Sequence, residues 1–325
     1  MAGSKHSPIM AVDIGGTKFI AAVIEDNERI LSRVYCPTLA HEGPGRVINR
    51  LILSIRNAAH KSGIDISDVK GIGVAAAGCI DIGKGSIVES PNLPLWHNIQ
   101  LADILHKEFD VTVYLMNDAS AAAMGEFYLG AGRGVRNMVY LTVSTGIGGG
   151  IIINGDLYEG SDGCAGELGH MVIDVDGPEC KCGRRGCLET LASGTAIARM
   201  AKEMLEHTEG SLLWGVDHNP MDNMTSVMVA SAAKQGDPLS NEVVRLAGKY
   251  LGIGLADIVN IFNPDKIVIG GGVSKMGELI LKPARKAMKD YAFKLPVRRV
   301  SVVKSRLGAN AGVIGASLYV TKRME

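Results

Sequence analysis

Two short segments of one design constrain this chain more than anything else in it. Each is an apolar strand, a turn of glycine and hydroxyl residues, and an apolar return strand. The first runs from Ile9 through Asp13-Ile-Gly-Gly-Thr-Lys18 to Ile24. The second starts at Met138, about 130 residues later, and runs through Ser144-Thr-Gly-Ile-Gly-Gly-Gly150 to Ile153. A duplicated lobe is the simplest explanation, and 325 residues suffice for two lobes.

Periodicity places the remaining elements. A strand is expected over 29–36, and a helix over 45–61 carries Val47, Ile48, Leu51, Ile52, Ile55 and Ala58 at helical spacing. Apolar strands are expected over 71–76 and 111–116. A helix opens at Asp118, where Asn117 and Asp118 are N-terminal signals and the alanines from Ala119 onward are strong helix formers. Beyond Gly194 the pattern turns helical, over 195–205, 226–234 and 239–261, the last stopping at Asn263-Pro264. A strand over 266–269 enters Gly270-Gly-Gly272, and a helix over 309–319 closes the chain. Residues 209–223 read as an irregular surface loop without an assigned role.

Hydrophobic residues make up 46% and charged residues 21%, so a sizeable core is available. The 34 basic and 34 acidic side chains cancel, which leaves neither a footprint for nucleic acid nor a polybasic membrane anchor. No run reaches the roughly 18 apolar residues of a membrane helix, and the opening residues lack the shape of a signal peptide. A cytoplasmic protein is expected. In a reducing compartment disulfides are not expected, so Cys36, Cys79 and Cys164 read as small core residues. The other three cysteines crowd together between Cys180 and Cys187.

The glycines of the first turn let backbone amides point at an anion; Thr17 adds a hydroxyl and Lys18 a positive charge. Asp13 is placed to hold magnesium beside a phosphate. A plain glycine hairpin with a surface lysine is the other reading. The second turn, with Thr145 and Gly146, would clamp the same polyphosphate from the other lobe, and Gly271 and Gly272 would let backbone pass close to an adenine. Neither a P-loop nor a dinucleotide-binding fingerprint is present. His170, Cys180, Cys182 and Cys187 form a Cys3His set that suits tetrahedral zinc, with no place left open for water, so the site reads as structural. A chance group of buried thiols or a redox pair is the alternative.

Together these segments resemble the ROK (repressor, open reading frame, kinase) family of sugar kinases and sugar-responsive repressors, and within it the bacterial glucokinase type. The most specific stretch is Glu167-Leu-Gly-His170 followed by Cys180-Lys-Cys-Gly-Arg-Arg-Gly-Cys-Leu-Glu189. The resemblance implies an α/β protein of the actin-like ATPase (ribonuclease H-like) fold. It would have two lobes, each a mixed sheet flanked by helices, with ATP and sugar in the cleft. The lobes would be 1–117, joined by the closing helix at about 309–325, and 118–308. The resemblance makes Asp118 the base that accepts the proton of the sugar hydroxyl. It makes Asn92, Asn117, Asp118, Glu167, His170 and Glu189 the sugar ligands, His170 serving zinc with one ring nitrogen and sugar with the other. The nucleotide would lie on Asp13, Gly15, Gly16, Thr17, Lys18, Thr145, Gly146, Gly271 and Gly272. Ser120 stands where the family's glucokinases commonly carry asparagine. Family repressors carry a DNA-binding helix-turn-helix domain, for which the residues ahead of Asp13 leave no room.

The expected activity is therefore Mg-ATP-dependent phosphorylation of a hexose, glucose first, in a homodimer or homotetramer. The alternatives are a kinase for N-acetylmannosamine, N-acetylglucosamine, mannose or fructose, and a sugar-binding regulator without catalysis. Shared motifs hold the hydroxyls common to these hexoses, so discrimination falls to neighbours such as Ala76, Gly78, Leu95 and the loop around Gly163.

Overall fold

The computed structural model describes residues 8–90, 93, 95–215 and 219–325. By contacts the chain divides into two compact units. The first holds the described residues up to Arg136 with Gly150–Gly166 and Arg306–Glu325; the second holds Asn137–Gly149 and Glu167–Ser305. The helix that opens at Asp118 thus belongs with the first unit, whereas the sequence reading ended the first lobe at 117.

In chain order the first unit begins with β1 (Ile9–Ile14), β2 (Lys18–Glu25), β3 (Arg29–Pro37), α1 (Pro44–Ser62) and β4 (Ile72–Ala76). A small antiparallel sheet follows, formed by β5 (Cys79–Asp81), β6 (Ser86–Glu89) and β7 (His97–Ile99). Then come α2 (Leu101–Phe109), β8 (Val113–Asn117) and α3 (Asp118–Leu129). The main sheet has the order β3-β2-β1-β4-β8, antiparallel through β3, β2 and β1 and parallel from β1 to β8. Alternation along β1 assigns its faces. Met10, Val12 and Ile14 join Phe19, Ala21 and Val23 in a core completed by Val47, Leu51, Ile55 and Ala58 of α1.

The second unit is built on β9 (Met138–Val143) and the start of β10 (Ile147–Ile153); from Gly150 onward β10 and β11 (Asp156–Leu157) count with the first. Helices α4 (Leu188–Ala192), α5 (Gly194–Leu205), α6 (Pro220–Asn223), α7 (Ser226–Lys234) and α8 (Pro238–Phe262) lead to β12 (Lys266–Gly270). After α9 (Glu278–Tyr291), α10 (Lys294–Arg299) and β13 (Ser301–Lys304), α11 (Ala311–Met324) returns to the first unit. The second large sheet has the order β11-β10-β9-β12-β13. Helix α11 is buried from Ala311 to Val320. It meets α3 where a Cβ on Gly315 would come within 1.7 Å of the Ala121 carbonyl oxygen, a contact that only glycine allows.

The expected strands and helices are present within a few residues. The sheet β5-β6-β7 and helices α2, α4 and α10 lie where no element was expected. The second turn is also shorter than expected, because β10 begins at Ile147 rather than 151. The stretch read as a surface loop is tied to the body. Asp237, the N-cap of α8, accepts hydrogen bonds from Ser240 N at 2.8 Å, Leu212 N at 3.0 Å and Ser211 Oγ at 3.1 Å. Leu213 is fully buried.

The cysteine expectation is corrected. Cys79 and Cys164 are joined in a disulfide across 85 residues, with Cα atoms 5.3 Å apart, inside the range a disulfide spans. Both are half-buried rather than core residues, as is Cys36. The pairing arises because the backbone at Gly163 lies against the Ile80 carbonyl, a meeting of distant segments that no local pattern announces. Among the described residues no helix is long and apolar enough to cross a membrane.

Candidate active site

In the first unit, Asp13 sits in the last turn-facing positions of β1, paired with Ile20 on one side and Ala75 on the other. The turn that follows is closed by Gly15 N donating to Lys18 O at 3.1 Å. It is braced by Thr38, whose Oγ1 donates to Gly15 O at 2.6 Å and whose N donates to Thr17 O at 2.9 Å. A Cβ on Gly15 would lie 3.1 Å from Lys18 O, a tight contact in this turn. Thr17 and Lys18 are exposed, and Lys18 Nζ stands 5.5 Å from the Tyr35 ring centroid.

Asn117 caps α3. Its Oδ1 accepts from Ala119 N at 2.9 Å and Ser120 N at 3.1 Å, and its Nδ2 donates to Gly78 O at 3.1 Å. Asp118 is the first helical residue, and its Oδ1 accepts from Ala119 N at 2.8 Å. Ser120, the departure from the family pattern, is buried in this first turn. Burial first, then the Asp118 charge, push the Asp13 carboxyl up to about 7, with Lys18 pulling the other way. A divalent cation beside this buried carboxyl would favour its ionised form against both burial and the Asp118 charge. Gly312, at the start of α11, is a site residue the sequence reading missed. A Cβ there would fall 2.3 Å from Asp13 Oδ2, so glycine is what lets the helix approach the carboxylate. Its signal was one of two glycines, Gly312 and Gly315, inside a stretch that reads as helix.

In the second unit, the turn after β9 is held within itself by Ser144 N donating to Gly146 O at 2.8 Å, and Thr145 is exposed. The third glycine group packs onto this turn's root: Gly271, with φ of +81°, would place a Cβ 2.2 Å from Val143 O. Asn92 lies outside the described residues.

The ligand atoms of His170, Cys180, Cys182 and Cys187 all lie within 4.8 Å of one another. Cys180 Sγ is 3.6 Å from His170 Nδ1, and Cys182 Sγ is 3.6 Å from Cys187 Sγ. Zinc bonds of about 2.0–2.3 Å in a tetrahedron put ligand atoms roughly 3.5–3.8 Å apart, so this donor set fits the ion. Without it, burial and the neighbouring thiols raise Cys187 to about 12, the crowding that metal-bound thiolates would relieve. With Nδ1 on the sulfur side, His170 Nε2 is the ring nitrogen left over from the cluster, 3.8 Å from Glu167 Oε2. Burial raises the Glu167 pKa, His170 opposes this and Glu189 adds to it. Glu189 lies on α4 two positions after Cys187, and its Oε2 accepts from Ile147 N at 2.7 Å.

The expected residues therefore fall into two sets. Asp13, the first turn, Asn117 and Asp118 share the first unit; Thr145, Gly146, the third glycine group, Glu167, His170, Glu189 and the cysteines share the second. The ROK family profile matches residues 9–323. The chain belongs to the ROK family. Among ROK relatives, it is 37% identical over 316 residues to a glucokinase of Thermotoga maritima, covering 97% of this chain and 98% of the other. A xylose repressor of Caldicellulosiruptor bescii is 30% identical, over 97% of this chain and 78% of its own length. A solved ROK glucokinase from Streptomyces griseus, in complex with glucose and AMPPNP, superposes with a TM-score of 0.85 at 34% identity. That likeness covers 97% of this chain and 99% of the other. As in that ROK structure, the architecture is the α/β actin-like ATPase fold.

Proposed function

We propose that this ROK chain is an ATP:glucose phosphotransferase that forms glucose 6-phosphate. The observation that carries the reading is the placement of Asp118 at the start of α3, one residue from the capping Asn117 and within electrostatic reach of Asp13. The near full-length similarity to a glucokinase supports it, as does the likeness to a structure holding glucose and an ATP analogue.

Asp118 accepts the proton of the sugar hydroxyl late, as the bond to phosphorus forms, because a carboxylate cannot deprotonate an alcohol beforehand. Asn92, Asn117, Glu167, His170 and Glu189 hold the sugar, and the two glycine turns hold the phosphates. Asp13 is the residue that would hold magnesium, which when bound with ATP neutralises phosphate charge. His170, Cys180, Cys182 and Cys187 would hold structural zinc and so fix the direction of His170 Nε2. The two units are the two lobes, and assembly as a homodimer or homotetramer in the cytoplasm completes the reading.

A coupled assay with Mg-ATP over glucose, mannose, fructose, N-acetylglucosamine and N-acetylmannosamine tests this. The highest kcat/KM is expected on glucose. Preference for an amino sugar moves the substrate, and sugar binding without turnover makes the chain a regulator.

Two further results are expected at Asp13. Its carboxyl, raised to about 7, takes up a proton on folding between about pH 4 and 7, so stability without cation falls as pH rises through that window. A bound cation must displace that proton. Mg-ADP should therefore bind about tenfold tighter at pH 8 than at pH 6. In Asp13→Asn that dependence should shrink to about twofold, the share of the nucleotide's own terminal phosphate, and calorimetric titration at the two pH values reads both. Gly312→Ala places a methyl group on Asp13 Oδ2 and should lower kcat/KM for ATP by about tenfold or more. Unchanged nucleotide kinetics in a folded Gly312→Ala protein would remove the close approach from the mechanism.

A further inference from the structure

The peptide of Ile147, where the second glycine turn enters β10, is gripped on both sides. Its N–H donates to Glu189 Oε2 at 2.7 Å. Its carbonyl oxygen lies so close to Gly169 that a Cβ there would come within 2.0 Å. Both gripping residues belong to the metal cluster's own framework, Gly169 directly before His170 and Glu189 two positions after Cys187.

That framework is one block. Leu188 N donates to Met171 O at 2.8 Å, Ile173 N donates to Gly186 O at 2.8 Å, and Val172 and Cys187 form a bridge. The segment after Glu189 holds the rest of the turn. Gly194 N donates to Ser144 O at 2.7 Å, and Thr195 Oγ1 donates to Thr145 O at 2.8 Å. Gly146 lacks the Cβ that would stand 2.2 Å from Glu189 Oε2, so the carboxylate can pass against the turn. The Ile147 amide is consumed by this contact and is no donor toward a ligand.

We infer that Glu189 is a positioning residue for the nucleotide: its carboxylate sets the geometry of the 144–147 turn, and through it the metal cluster governs the affinity for the phosphates of a Mg-nucleotide. A contact with sugar would use the other carboxylate oxygen, so one side chain joins the two substrates. The inference rests on the kinase reading given above and adds to it a nucleotide role for a residue of the sugar pocket.

Binding of Mg-AMPPNP without any sugar tests this, measured by calorimetry on the full chain with metal content checked in each sample. A residue confined to the sugar pocket would leave that affinity unmoved. Glu189→Ala should weaken it about tenfold, the loss expected for one charge-assisted hydrogen bond. Glu189→Gln, which keeps an oxygen acceptor, should recover it to within about threefold. Thr195→Val keeps Glu189 and the cluster and should weaken binding several-fold. Unchanged affinity in Glu189→Ala, or a loss in Glu189→Gln as large as in Glu189→Ala, would overturn the assignment. If Glu189→Ala fails to fold, Glu189→Asp decides: its shorter side chain withdraws the carboxylate from Ile147 N, and wild-type affinity there overturns the assignment. Wild-type protein that binds no Mg-AMPPNP would sink the kinase reading itself and this assignment with it, an outcome distinct from normal wild-type binding with unaffected variants.

Discussion

Asp118→Asn should keep glucose bound and lose about three orders of magnitude in kcat, roughly 4 kcal/mol of transition-state stabilisation. The substitution is nearly isosteric. Asn keeps an oxygen that can accept from Ala119 N, as Asp118 Oδ1 does at 2.8 Å, and the helix cap itself belongs to Asn117. What Asn lacks is a site for the proton that leaves the sugar hydroxyl, and that loss is felt only in the transition state. The KM for ATP and the calorimetric Kd for glucose should stay within about threefold of wild type while kcat falls. A kcat within tenfold of wild type would remove Asp118 from the role of base. The same substitution takes away a charge that raises Asp13, so the Asp13 pKa should fall toward the ordinary carboxylate range.

Removal of the metal should have the second large effect, in two properties at once. Cys187 is fully buried and stands at the entrance of α4. Replacing it with alanine removes one of four ligands that lie within 4.8 Å of one another. A structural zinc site of this kind contributes on the order of 10 kcal/mol to the fold around it. Part of that is retained by the strand bridge and hydrogen bonds joining residues 171–173 to 186–188. A loss of several kcal/mol should lower Tm by about 10 °C or more. His170 would no longer be held with Nδ1 toward sulfur, so Nε2 and Glu167 lose their common direction, and sugar affinity should fall at least tenfold. Metal analysis should drop from one zinc per chain to none. A zinc-free protein with wild-type Tm and glucose affinity would contradict the structural assignment of all four ligands.

Much of the site was legible in residue order because its chemistry is local. A glycine turn between two apolar strands, an Asn-Asp pair ahead of an alanine run, and three cysteines in eight residues each declare themselves within a single turn of chain. The strands and main helices followed from periods of two and 3.6, which hold wherever one face is buried. The contacts that tie these parts together involve residues with no distinctive local pattern. Gly312 reads as a weak point in a helix until Asp13 is found against it. Cys79 and Cys164 read as two small apolar residues until the chain brings β5 beside the backbone at Gly163.

Glu189 shows where the division lies. The order of residues alone determined that an acidic side chain follows the last cysteine of a Cys3His cluster, and so that it belongs near whatever that cluster supports. Only the tertiary structure decided that its carboxylate meets the amide of Ile147, 42 residues away, because that depends on which backbone groups the sheet leaves unpaired and on where glycines remove the Cβ atoms that would keep the segments apart. Local chemistry is written in neighbouring residues; the pairing of distant backbone is set by packing, in which each contact depends on all the others.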